Sequence, residues 1–211
     1  MITNSKHSCE KENVFVEGGG FQETVRKPAL LLHSCCGPCS TAVVERLVDE
    51  FDVTIFFYNP CITDEEEYKC RKDAQLKFIE KFNEEKIGVA KVNFKEGEYR
   101  PTEFFKAAEG FEAEPEGGAR CTVCFGQRLE KTAEAARMGG YDYFATTLTV
   151  SPHKNYKLIS EIGRSIALRY GLSFLDRDFK KKDGFKRSIE LSKKYELYRQ
   201  DYCGCEYSKR D

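Results

Sequence analysis

From Ala29 onward the chain leaves polar, unpatterned sequence for short apolar runs that alternate with helical stripes. ALLLHSC is a continuous apolar run of the kind found in buried strands. PCSTAVVERLVDEF follows at once, with Val43, Val44, Leu47, Val48 and Phe51 at helical spacing. The pattern predicts a strand, a tight turn and a helix. VTIFFY (Val53 to Tyr58) is a second strand ended by Asn59-Pro60, and the charged stretch from about Thr63 to Glu85 is a long helix. GVAKVNF supplies a third strand, TEFFKAAEG a short helix after Pro101, and residues 112–120, with Pro115, Gly117 and Gly118, a turn-rich segment. ARCTVCFGQRLEKTAEAARMGG reads as a helix stopped by Gly139 and Gly140. YDYFATTLTV is a fourth strand, Asn155 to Tyr170 a helix with Leu158, Ile159, Ile162 and Ile166 on one side, and LSFL a fifth strand.

Strands alternating with helices of ten or more residues predict an α/β fold: a mostly parallel sheet with helices on both faces. In such sheets ligands bind beyond the carboxyl ends of the strands. His33-Ser34-Cys35-Cys36, Asn59-Pro60-Cys61 and Thr146-Thr147 all fall at predicted strand ends. Residues 1–28, which include the Gly18-Gly19-Gly20 triplet, form a polar lead-in. Residues 29–211 are expected to form a single α/β domain, catalytic on the pattern of its cysteines, whose C-terminal segment is basic and contains cysteine.

Hydrophobic content of 40% and charged content of 33% exclude wholesale disorder. No apolar run approaches the roughly 20 residues of a bilayer span. MITNSKHSCEKENVF does not read as a secretory signal, so a cytoplasmic location with no membrane partner is expected. That expectation gives the ten cysteines their weight, because in a reducing compartment Cys-rich chains bind metal or do redox chemistry. With three histidines, any metal site must lean on sulfur and carboxylate, and thiolates favour zinc or iron–sulfur centres. The net charge of −1 excludes a general polyanion binder. Residues 61–116 carry fifteen acidic against ten basic side chains, and residues 177–211 eleven basic against seven acidic. A nucleic-acid contact therefore belongs at the C-terminal end.

Seven cysteines fall into three groups. Cys35, Cys36 and Cys39 lie in HSCCGPC, at the turn between the first strand and its helix. There the helix N-terminus favours thiolate, Gly37 permits close approach and Pro38 suits a first helical turn. Cys121 and Cys124 form C-x-x-C near the start of a helix, where three-residue spacing puts both sulfurs on one face. Cys203 and Cys205 form CGC. Cys9, Cys61 and Cys70 read as ordinary free thiols. Four thiolates suit structural zinc or a four-iron cluster, and spacing alone does not choose between them. Their place on helix termini, in a domain large enough to fold without metal, favours catalysis. Cys36-Gly37-Pro38-Cys39 also looks like a thioredoxin-type redox pair.

HSCCGPC, RCTVCFGQRLEKTA, FATTLTVSPHKN, DFKKKDGFKRS and YRQDYCGCEYS, in this order from about Leu30 to Ser208, closely resemble the cobalamin-independent, iron–sulfur type of epoxyqueuosine reductase. The resemblance implies a three-layer domain related to the adenine-nucleotide α-hydrolase (HUP, PP-loop) proteins, a 4Fe-4S cluster and an adjacent single iron held by Cys and Asp. It also implies a tRNA-modifying reductase that deoxygenates epoxyqueuosine in the anticodon loop to queuosine, the last step of queuosine biosynthesis. The phosphate cradle usual in PP-loop proteins is replaced here by His33 to Cys39, which argues against ATP use.

On that resemblance, Cys35, Cys36, Cys121 and Cys124 are expected to hold the cluster. Cys203, Cys205 and Asp178 are expected to hold the neighbouring iron, with Cys39 an alternate ligand in either site; a reversible disulfide or a lid contact is the other reading of Cys203 and Cys205. Asp178 and His33 are the catalytic candidates; His33 reads either as proton donor or as a strand-end residue hydrogen-bonded to backbone, and Asp178 either as metal ligand or as a helix-capping or salt-bridging residue. Lys180, Lys181, Lys182, Lys186 and Arg187 would neutralise anticodon phosphates, and Tyr198 and Arg199 would contact an unstacked base. Ordinary packing on an amphipathic helix is the other reading of Tyr198 and Arg199. Thr146, Thr147, Ser151 and His153 are expected to line the pocket. An electron donor is required that the sequence does not identify. Two other readings fit the thiols: an RNA-binding module stabilised by a four-cysteine zinc site, and a CxxC dithiol oxidoreductase working through Cys36 and Cys39.

Overall fold

The computed structural model describes residues 26–88 and 91–209. Cys9 and the glycine triplet of the lead-in lie outside the described residues. Five strands, β1 (Ala29–Ser34), β2 (Asp52–Phe57), β3 (Asn93–Glu96), β4 (Tyr143–Thr146) and β5 (Ser173–Phe174), form one sheet. Its order is β3-β2-β1-β4-β5 and every pairing is parallel. The chain winds outward from β1 in both directions, so the crevice between the carboxyl ends of β1 and β4 is the topological switch point.

β1 alternates its side chains between two cores, and Leu30, Leu31 and Leu32 are all 0% exposed. Leu30 and Leu32 enter the core built with α1 (Gly37–Leu47), α2 (Glu65–Glu85) and α6 (Gly184–Lys194). Leu31 enters the core built with α4 (Ala119–Met138) and α5 (Tyr156–Tyr170). The result is three layers with β1 dry on both faces, which is why its sequence is apolar without alternation. The short α3 (Pro101–Ala108) packs beside α4.

Three details differ from the periodicity. β4 stops at Thr146, and Thr147–Val150 is a tight 3-10 turn rather than strand. The register with β1 ends at His33↔Thr146, and the Thr146 side chain then accepts from the Leu148 N–H at 3.1 Å, which turns the chain aside. β3 begins only at Asn93, opposite Thr54. Helix α6 escapes apolar periodicity because its buried face is Gly184, Ser188, Leu191 and Ser192. The Ser188 and Ser192 hydroxyls donate to helix carbonyls, so serine packs there without an orphaned donor.

Candidate metal centre

The site begins where β1 runs into α1. Any Cβ on Gly37 would stand 2.5 Å from the Ala74 carbonyl oxygen of α2, so only glycine lets the two helices approach this closely. Cys36 is the extended N-cap of α1 and makes no side-chain cap, which leaves the free amides and positive dipole end of the helix to the neighbouring sulfurs. The sulfurs of Cys35, Cys36 and Cys39 lie within 4.8 Å of one another. The Cys36 and Cys39 thiols donate to Cys35 and, with Arg128 and Lys154, hold it well below the ordinary thiol range. Cys36, as donor to Cys35, is pushed up to about 12. Such a set is arranged to share one anion, or one metal ion that replaces the protons.

A second sulfur group lies beside the first. Cys61, in the turn after β2, is 2% exposed and packs with Cys124 of α4 and with Cys205. The Cys124 thiol donates to Cys61 and brings it down to about 6, while Cys124 itself is pushed up. Cys203 is close enough to Cys61 and Cys124 for their charges to interact. Gly204, between the two C-terminal cysteines, takes φ +114°, and a Cβ there would meet Ile62 and the Arg71 guanidinium. Cys121 stands one turn before Cys124, and its sulfur accepts from the Gly117 N–H at 3.2 Å. Cys70 is exposed on α2.

Three cations, none of them singled out by the cysteine pattern, serve these sulfurs. Arg71 is 1% exposed; it pairs with Glu67 at 2.5 Å and donates to the Tyr202 and Cys203 carbonyls at 3.1 and 3.0 Å. Lys154 directs its ammonium at the Cys203 sulfur, 3.7 Å away. Burial opposes its charge, but Cys203 and Cys35 outweigh burial and hold it protonated. Arg128 is 1% exposed, donates through Nε to the Cys124 carbonyl at 3.2 Å, and has a buried Nη2 with no hydrogen-bond partner among the described residues. The sequence does carry a signal for two of these. Tyr68, Arg71, Gln75, Phe78 and Phe82 form the buried stripe of α2, and Arg120, Cys124, Arg128 and Thr132 recur every fourth residue on that of α4. A charged residue on an inward stripe marks a buried counter-charge.

The sulfurs open onto a cleft of about 530 Å3. Thr147, Ser151, His153 and Arg199 line it, as do Cys35, Cys39 and Cys203. Thr146 instead turns inward to His33. His33 is 0% exposed, with Nδ1 3.0 Å from the Thr146 hydroxyl and Nε2 3.2 Å from the Tyr58 carbonyl. Burial, aided by Arg128, lowers this ring to about 4, so it stands neutral and ties three strand ends together. Asp178 accepts from the Lys180 N–H at 3.2 Å and pairs with the Lys180 ammonium at 3.5 Å. Lys180 also donates to the Thr149 and Lys154 carbonyls at 3.3 Å, which spends its charge inside the fold. Lys182, Lys186 and Arg187 border a separate depression beside α1, where Arg187 pairs with Glu45 at 2.7 Å. Lys181 is exposed. Tyr198 donates to Glu67 at 2.6 Å, and Arg199 to the Ser192 hydroxyl at 3.0 Å; both lie beyond the end of α6.

This set of donors fits a sulfur-ligated metal group. Soft thiols from four separate chain segments meet at a strand-end crevice, and Arg128 offers them a permanent positive charge. Among the described residues, no helix is long and apolar enough to cross a membrane.

The family model for epoxyqueuosine reductase QueH matches residues 30–211. The epoxyqueuosine reductase QueH of Staphylococcus epidermidis is 47% identical over 184 residues, covering 86% of this chain and 76% of the relative. That of Streptococcus pyogenes is 44% identical over 189 residues, 90% of this chain and 73% of the relative. The more distant one of Thermotoga maritima is 35% identical over 182 residues, 85% and 89% respectively. With the sulfur-lined crevice of its parallel sheet on the page, these matches place the chain in the epoxyqueuosine reductase QueH family.

Proposed function

We propose that this protein removes the epoxide oxygen of epoxyqueuosine in the anticodon loop of tRNA, leaving a carbon–carbon double bond. The overall change consumes two electrons and two protons and releases the oxygen as water. The observation that carries the reading is the convergence of two sulfur groups on one buried, carboxylate-free guanidinium at the switch point of a parallel sheet.

The metal donors would come from two sets, Cys35, Cys36 and Cys39 in one and Cys61, Cys124 and Cys205 in the other, with Cys203 at the cleft and Cys121 one turn before Cys124. Four of these sulfurs would hold a 4Fe-4S cluster, and the remaining sulfurs with Asp178 would hold a neighbouring iron. When bound, such a group supplies single electrons from an external carrier and a Lewis acid for the C–O bond.

The chain's own residues do the rest. Arg71 holds the 202–203 backbone against α2, so Cys203 stays at the cleft. Lys154 keeps its ammonium at the cleft wall, where it can donate a hydrogen bond to a departing oxygen. Tyr202 and Arg199 face the same cleft and suit an unstacked base. His33 keeps its ring inside and serves the strand ends.

Anaerobic purification followed by iron, sulfide and zinc analysis, and then assay on tRNA bearing epoxyqueuosine with a chemical reductant, tests the reading. Iron with acid-labile sulfide, and conversion of the nucleoside, are expected. Stoichiometric zinc without sulfide would leave a structural zinc module instead. Metal-free protein with a titratable Cys36–Cys39 pair would leave a dithiol oxidoreductase.

A further inference from the structure

Arg128 poses a problem that no carboxylate among the described residues solves. A guanidinium remains charged at any pH the protein meets, and burying a charge without an opposite partner costs several kcal/mol. Arg71 answers this with Glu67, and Lys154 sits at a cleft. Among the described residues Arg128 has neither answer: it is 1% exposed, Nε reaches only the Cys124 carbonyl, and Nη2 reaches nothing. The Phe125 ring, 5.7 Å from its carbon, is the remaining neighbour of note on its own helix. The groups whose negative charge it faces are the sulfurs of Cys124, Cys61, Cys35 and Cys203, which belong to four different chain segments.

We infer that Arg128 is the fixed counter-charge of the sulfur-held centre, required both to keep that centre in the protein and to let it take up an electron. The inference rests on the proposed function, since it presumes a redox-active metal group on these cysteines. Its electrostatics are direct. One electron from a low-potential one-electron carrier makes the site one unit more negative while no bond of the chain breaks. A buried positive charge stabilises the reduced state more than the oxidised one and raises the potential. Low dielectric around the group keeps solvent from screening the effect. Arg128 thus acts through the centre and touches neither substrate nor reacting atoms.

The test uses the full chain, reconstituted anaerobically, as wild type, Arg128→Met and Arg128→Lys. Methionine keeps much of the length and the contact with Phe125 but removes the charge; lysine keeps the charge. Iron and sulfide per chain are measured, and the midpoint potential is followed by visible absorbance during a mediated titration. Arg128→Met is expected either to release the metal or to hold it with about a tenfold lower equilibrium constant for one-electron reduction, a 59 mV fall. Arg128→Lys is expected to stay near the wild type. Wild-type metal content and potential in Arg128→Met would overturn the inference, and so would equal loss in both variants with the native circular dichroism spectrum retained. Wild-type protein that takes up no iron overturns the proposed function itself, and this inference with it.

Discussion

Gln200 Nε2 donates to the Cys36 sulfur at 3.0 Å and so joins the C-terminal segment to the turn after the first strand, 164 residues earlier. Two further ties hold the same segment: Arg71 to the Tyr202 and Cys203 carbonyls, and the Thr63 N–H to the Gly204 carbonyl at 3.2 Å. Residues 200–204 are thereby fastened beside the sulfurs.

Gln200→Leu removes the donor to Cys36 while keeping the bulk. A net loss of about 1 kcal/mol is expected in urea unfolding. A larger effect is expected on metal retention, because the segment carrying Cys203 and Cys205 loses one of its fastenings. Release of iron to a coloured chelator, followed in time, should be faster than in the wild type.

Cys61 and Cys70 have the same side chain and opposite surroundings. Cys61 is buried against Cys124, whereas Cys70 is exposed on α2. Cys61→Ser is expected to lower iron bound per chain after anaerobic reconstitution, and Cys70→Ser to leave it unchanged. Equal iron in both variants would remove Cys61 from the centre.

Asp176 fastens the end of β5 to α5. Its carboxylate accepts from the hydroxyls of Ser160 and Tyr156 at 2.6 and 2.9 Å and from Arg164 Nε at 2.7 Å. Burial alone would push this carboxyl up; the three donors outweigh burial and hold it below the usual carboxylate range. A carboxyl depressed on folding stabilises the fold above its unfolded value, 3.8, and that contribution is lost as pH falls through the folded value. Asp176→Asn should therefore cost about 1–2 kcal/mol at pH 7, with the difference from wild type closing below pH 3.8. Urea midpoints measured across that range check the sign.

Lys180 and its neighbours separate by what their ammonium groups already do. Lys180 is engaged with Asp178, Thr149 and Lys154, whereas Lys181 and Lys182 are exposed, and their backbone carbonyls accept from Arg46. Charge reversal of Lys181 and Lys182 is expected to weaken tRNA binding while leaving the metal content intact. The slope of log affinity against log salt should fall by about 1.4, roughly 0.7 per lost single-strand phosphate contact. An unchanged slope would move the tRNA surface elsewhere.

The strand–turn–helix units were legible because each is written locally. ALLLHS is apolar without alternation since β1 is covered on both faces, and the Val and Leu stripe of α1 recurs at helical spacing. Helix α6 is amphipathic, but Leu191 is the one large apolar residue in its buried face beside Gly184, Ser188 and Ser192, so counting apolar positions alone passes over it. The turn at Thr147 is hidden because TTLT suits a strand, and what turns the chain is the Thr146 side chain, which caps the Leu148 N–H just where the pairing with β1 stops. Arg71 and Arg128 sat on the inward stripes of α2 and α4, a signal visible only when polar residues are scored on the buried face as well.

By itself the sequence determined the alternation of strands and helices, and hence a parallel sheet, together with a clustered set of thiols at strand ends and helix starts. Those features follow from neighbours in the chain, where spacing and propensity act. Only the tertiary structure decided that Cys61 meets Cys124 and that Arg128 faces sulfurs from four chain segments. These are contacts between residues far apart in the chain, set by the order of strands around β1 and by how closely Gly37 lets α1 approach α2. Burial then gives them their chemistry, since a charge withdrawn from water acts strongly on whatever the fold has brought beside it.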